Sequence, residues 1–152
     1  MAKQLRVFVS YAHEDNAMKE ALGKHLTPLK RSNKIKLWSD IEISPGQEWD
    51  HAIKSALLEA DIILLLISPD FNNSQYIWDN ELQTALQHHQ SGTASVIPII
   101  LRSCDWTEMP YAKLQALPSG GKAVTSFADH DVAYTNIVAG VKIVVARLEN
   151  MP

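Results

Sequence analysis

Residues 60–70 read Ala60-Asp61-Ile62-Ile63-Leu64-Leu65-Leu66-Ile67-Ser68-Pro69-Asp70. An acidic residue leads into an unbroken apolar run, and Ser-Pro stops it. A strand with one wet face alternates apolar and polar residues. A continuous run of this length fits a strand covered on both faces, which is the setting of a parallel sheet. Similar segments flank it. Leu5–Ser10 is short, β-branched and aromatic; residues 35–38 form a weaker strand; residues 96–101 form another apolar run, carrying Pro98. Residues 123–127 follow Gly120-Gly121 and read as a fifth strand.

The segments between them repeat at helical spacing. Residues 15–27 place Met18, Leu22 and Leu26 four apart, and Pro28 is expected to distort or end that helix. Residues 49–60 align Ile53, Ala56, Leu57 and Ala60. Residues 74–89 align Ile77, Trp78, Leu82, Ala85 and Leu86. Residues 129–148 carry Val132, Ile137, Val138, Val141, Val144, Val145 and Leu148. Strands alternating with helices imply right-handed crossovers and helices on both faces. The expected fold is α/β, a flavodoxin-like three-layer sandwich around a five-stranded parallel sheet of order 2-1-3-4-5. Ligands of such sheets bind outside the carboxyl ends of the strands, where strand order reverses. That crevice lies between strands one and three, and collects Ser10, Tyr11, Ala12 and His13 from one side and Ser68, Pro69 and Asp70 from the other.

Composition narrows the function. The 152 residues are 46% apolar and 20% charged with a formal charge of −3, which suits one soluble domain. Lys and Arg are scattered apart from Lys30-Arg31, so no nucleic-acid partner is expected. Cys104 is the only cysteine, which excludes an internal disulfide and a multi-cysteine zinc site and points to a cytoplasmic setting. No signal peptide is read at the N-terminus, and the longest apolar run is too short to cross a bilayer, so no membrane partner is expected. His88 and His89 are adjacent on a helix and point in different directions, a poor metal pair; no metal is expected. There is no G-x-G-x-x-G, Walker A or G-x-S-x-G motif. A phosphoacceptor receiver would want an aspartate ending strand three, where Ile67-Ser68 stands instead.

Glu81 is the leading candidate for chemistry. It lies four residues after Ile77, three after Trp78 and four before Ala85, on the flank of its helix's apolar stripe. A carboxylate there is partly withdrawn from water and near the crevice. The plainer reading is an early-helix acid that favours the helix dipole. Residues 39–49, with Ile41, Ile43, the turn pair Pro45-Gly46 and Trp49, read as a lid, a contact surface or an ordinary loop before a helix. Ser10 and Tyr11 offer a hydroxyl and a ring for a ribose or ring ligand, or simply end a strand. His13-Glu14-Asp15 reads as a helix entry with Asp15 or His13 near the cap. Cys104 reads as a packed thiol.

Taken in order, several pieces resemble the Toll/interleukin-1 receptor (TIR) domain in its bacterial form. They are residues 8–15, Trp38-Ser39-Asp40 with Pro45-Gly46 and Trp49, residues 60–71, residues 74–81, residues 96–101 with Cys104-Asp105-Trp106, and residues 117–127. The resemblance spans about residues 4–147 of a single domain covering 1–152. It implies either cleavage of NAD+ at the nicotinamide–ribose bond, giving nicotinamide with ADP-ribose or a cyclic isomer, or non-catalytic TIR–TIR assembly. NAD+ is then substrate, and no cofactor is expected. Glu81 matches the family's catalytic glutamate. Ser10, Tyr11, Asp40 and Trp78 are the implied substrate contacts, and Ile43, Pro45, Gly46 and Trp49 the implied interaction loop. Many enzymatic members carry a tryptophan four residues before the glutamate; here Ile77 holds that place and Trp78 is three before. A relative acting on other nucleosides at the same crevice is a further alternative. The apolar residues 141–148 fit burial in the domain's own core, a dimer contact, or a domain cut from a longer protein.

Overall fold

The computed structural model describes residues 4–38 and 49–151, with the side chains of Trp49 and Asp50 left aside. The first strand, β1 (Leu5–Ser10), leads into helices α1 (Asn16–His25) and α2 (Thr27–Arg31) and then β2 (Ile35–Leu37). Helix α3 (Trp49–Glu59), β3 (Ile62–Ile67), α4 (Pro69–Asn73), α5 (Gln83–Gln90), β4 (Ser95–Ile100) and α6 (His130–Glu149) follow. All pairings are parallel, in the order β2-β1-β3-β4. Strand β1 is therefore central, with Val7 opposite both Leu37 and Ile62. The reversal of strand order falls between β1 and β3, as expected.

Every residue of β3 is fully buried. Alternation across the pleat divides its side chains between two apolar layers. Leu64 and Leu66 join Val7, Val9 and Ile99 against α1, α2 and α6; Ile63, Leu65 and Ile67 join Phe8, Val96 and Ile100 against α3 and α5. Each Leu or Ile so buried contributes about 1.5–3 kcal/mol. The unbroken run is thus explained by two cores sharing one strand.

The expected fifth strand is not among the described elements, which comprise four strands. Its residues instead include a 3-10 turn, Val124–Ser126. Among the described residues the backbone of β4 is paired on its outer side only at Leu117, whose N–H donates to Pro98 O at 2.9 Å and whose carbonyl accepts from Ile100 N at 2.8 Å. Pro118 has no N–H to extend this pairing, and Gly120 and Gly121 turn the chain at φ +82° and +73°. Ala123 and Val124 remain buried, which is why their stretch reads like a strand. Pro98 turns its carbonyl, and hence its missing N–H, toward this short outer edge, where a proline does least harm to the ladder.

Pro28 does mark a break: α1 stops at His25, and Pro28 sits in the first turn of α2, where no N–H is needed. Helix α6 buries Ile137, Val138, Val141 and Val145, with Val144 and Leu148 packed partly against the same layer. Val132 and Ile143 stay exposed, at 56% and 72%. Among the described residues no helix is long and apolar enough to cross a membrane.

Candidate functional site

Strand β1 delivers Ser10 to the carboxyl edge of the sheet, where its hydroxyl is buried. Strand β3 ends alongside at Ser68, whose Oγ accepts from Phe71 N at 3.0 Å and so caps α4. The chain then re-enters helix, but as a π-helical turn over Ile77–Leu82 rather than the regular helix expected across residues 74–89. Such turns are uncommon and concentrate at functional sites. This one buries Ile77, Glu81 and Leu82 together, whereas regular helical spacing leaves Glu81 on the flank of the stripe.

The result is a buried acid at the reversal point of the sheet. Glu81 is 7% exposed, and Ser10 Oγ donates to its Oε1 at 2.7 Å. Burial pushes the Glu81 carboxyl from 4.5 up to about 7, while the Ser10 hydrogen bond pulls it down. The charged form has lost most of its water and gained one protein donor. It faces a cleft of about 440 Å³ whose wall includes Tyr11, Trp38, Ile53, Asp70, Tyr76 and Ile77. That volume is in the range of small-ligand sites. Trp38 is fixed by stacking on Phe8, with ring centroids 5.3 Å apart, and Lys19 Nζ stands 5.3 Å from the Tyr11 ring centre.

Ser10, Tyr11 and Glu81 are therefore brought together. Trp78 is half-buried against the layer formed with α3 and α5, and is not among the residues lining the cleft. Trp38 and Tyr76 present rings there instead. Asp40, Ile43, Pro45 and Gly46 lie outside the described residues; Trp49 opens α3.

Asp15 stands at the N-cap position of α1, as expected, but its side chain bonds no N–H of the first turn. It is 1% exposed and accepts from Ser68 Oγ and from Arg102 Nε, the latter at 2.8 Å. Arg102 also bonds Asp70 through Nη2. Its guanidinium pKa is raised by the Asp15 hydrogen bond first and the Asp70 one second. One cation thus ties together the segments following β1, β3 and β4, and holds Asp70 at the rim of the cleft. Sequence reasoning missed Arg102. Its position directly beyond β4, at the carboxyl edge, was the available signal. Cys104 is half-buried with its thiol pKa pushed up by burial, the setting of an inert thiol. His88 bonds Leu58 O at 3.0 Å, whereas His89 accepts from Val96 N at 3.1 Å, so the two histidines serve different contacts.

A parallel sheet with a buried carboxylate at its reversal point defines a class: a doubly wound α/β domain whose cleft holds one buried acid, Glu81, with Glu14 and Asp70 also on its lining. Residues 7–131 match the TIR domain family, and the chain belongs to it. It is 43% identical over 142 residues to the uncharacterized protein y4lF of Sinorhizobium fredii; the match covers 93% of this chain and 44% of that protein. The chain therefore spans less than half the length of this curated relative. Its fold is similar to the crystal structure of the TIR domain of the Toll-related receptor TRR-2 from Hydra magnipapillata, with a TM-score of 0.57 and 23% identity. That match covers 90% of this chain and 97% of the other.

Proposed function

We propose that this TIR domain cleaves NAD+ at the nicotinamide–ribose bond, releasing nicotinamide with ADP-ribose when water adds or a cyclic isomer when the adenine closes on the ribose. One observation carries the reading: a carboxylate 7% exposed, bonded to Ser10 and titrating near neutrality, borders a cleft with aromatic walls. The C1′–nitrogen bond breaks and its electron pair passes to the pyridinium ring, which leaves as neutral nicotinamide. No strong general acid is needed. The sugar carbon becomes cationic, as in other glycosidic cleavages. The Glu81 carboxylate offsets this charge more strongly in the transition state than in the ground state. Water then adds to C1′ and sheds a proton, or an adenine nitrogen closes a cyclic product. Ser10 orients the carboxylate. Trp38, Tyr76 and Tyr11 supply ring faces, and Asp40 is assigned to the ribose or the carboxamide.

The setting proposed is bacterial immune or virulence signalling in the cytoplasm, with activity raised by TIR–TIR assembly through Ile43, Pro45, Gly46 and Trp49. The alternative is a non-catalytic TIR–TIR interaction module. Nicotinamide release at high protein concentration, wild type against Glu81→Gln, separates the two readings. Release abolished by the substitution supports catalysis. No release from wild type even under forced assembly leaves only the scaffold.

A further inference from the structure

Beside the Glu81 cleft lies a second groove of about 490 Å³, floored by β2 and walled by α1 and α2. Val9, Lys19 and Trp38 line both, so the two hollows share a wall. The groove is lined by Lys19, Lys24, Lys30 and Lys36, against one acid among the described residues, Glu20. Glu20 bonds Lys19 at 3.3 Å. Among the described residues Lys24, Lys30 and Lys36 have no anionic partner. In a chain of net charge −3, gathering lysines into one concavity creates a local field that attracts anions.

We infer that this groove binds a phosphate on the ribose of the substrate's adenosine half, so that the preferred substrate is the 2′-phosphorylated dinucleotide, NADP+. The inference rests on the NAD+-cleaving reading of the Glu81 cleft. With the nicotinamide riboside half at Glu81, the diphosphate link falls at the shared wall, where Lys19 stands. The adenosine half then enters the groove. An unphosphorylated adenosine is uncharged and gives Lys24, Lys30 and Lys36 nothing to neutralise. A 2′-phosphate supplies a dianion there, and lysine ammonium groups serve such a ligand as point charges. The reaction is unchanged: the C1′–nitrogen bond breaks, water adds to C1′, a proton is released, and the 2′-phosphate leaves on the ADP-ribose product.

Two arms test this, both on the full chain. The first measures kcat/KM for NADP+ and NAD+ with wild type, with Lys24→Gln/Lys36→Gln and with Lys54→Gln, an exposed α3 residue in neither hollow. Wild type and Lys54→Gln should prefer NADP+ by about tenfold or more, and the double variant should lose that preference. The second measures calorimetric binding of adenosine 2′,5′-bisphosphate and of AMP, neither of which carries a nicotinamide. The bisphosphate should bind about tenfold more tightly than AMP, less so in the double variant and at high salt. Equal binding of the two nucleotides, or a double variant that binds as wild type does, overturns the groove. Absence of nicotinamide release from either dinucleotide overturns the Glu81 reading, and the binding arm then decides the groove alone.

Discussion

Glu81→Gln keeps the shape of the side chain and its ability to accept the Ser10 hydrogen bond, and deletes the charge. In the folded chain the carboxyl titrates near 7 against 4.5 when free. As pH rises, the unfolded chain gives up this proton first. Wild-type stability therefore falls between about pH 4.5 and 7 and levels off above. The displacement corresponds to about 3 kcal/mol at full ionisation. The glutamine variant escapes this loss. It should match wild type at pH 4 and exceed it by about 2–3 kcal/mol at pH 8, or roughly 4–10 °C in Tm for a chain of this size. Thermal and urea melts of both proteins at unit steps from pH 4 to 8 give the difference directly. A difference that does not change with pH, or a variant less stable than wild type at pH 8, refutes the buried charged carboxylate. Stability given up at a site is the usual cost of keeping a functional charge there.

The same ionisation governs catalysis. Nicotinamide release should rise with pH through about 7 and then plateau, because the carboxylate form is the active one. Ser10→Ala removes the donor that pulls this pKa down, and should move the midpoint of the pH–rate profile to higher pH. Arg102→Met leaves Asp15 buried with Ser68 as its remaining partner and frees Asp70. Denaturation should show a loss of about 3 kcal/mol, at the lower end for a broken buried pair because Arg102 is itself one-third exposed. Gly140→Ala would set a methyl 2.6 Å from Leu117 Cδ1 and 3.2 Å from its Cγ. Since Leu117 is pinned by backbone bonds to Pro98 and Ile100, the variant should lose about 1–3 kcal/mol in denaturant melts.

The parallel sheet, its order through β4 and the reversal point beside β1 were legible in the chain because they follow from local pattern. Apolar runs as long as Ile62–Ile67 demand cover on both faces, and helical stripes between them supply it. The fifth strand was misread because burial, not extension, shaped residues 123–127: Ala123 and Val124 are apolar to fill a layer while the chain turns. Glu81 was legible as a candidate from its spacing to Ile77 and Ala85. Its depth was not, because a π-helical turn departs from the 3.6-residue period on which that reasoning stands.

By itself, then, the sequence determined a doubly wound domain of the TIR family with an acid near the right edge, since periodicity and motif order are properties of the chain. Tertiary structure decided what distance along the chain conceals. Ser10 meets Glu81 across 71 residues, and Arg102 reaches Asp15 across 87. Lysines 19, 24, 30 and 36, scattered in the chain, line one groove. Such encounters depend on how layers pack, and packing joins residues that no local spacing rule relates.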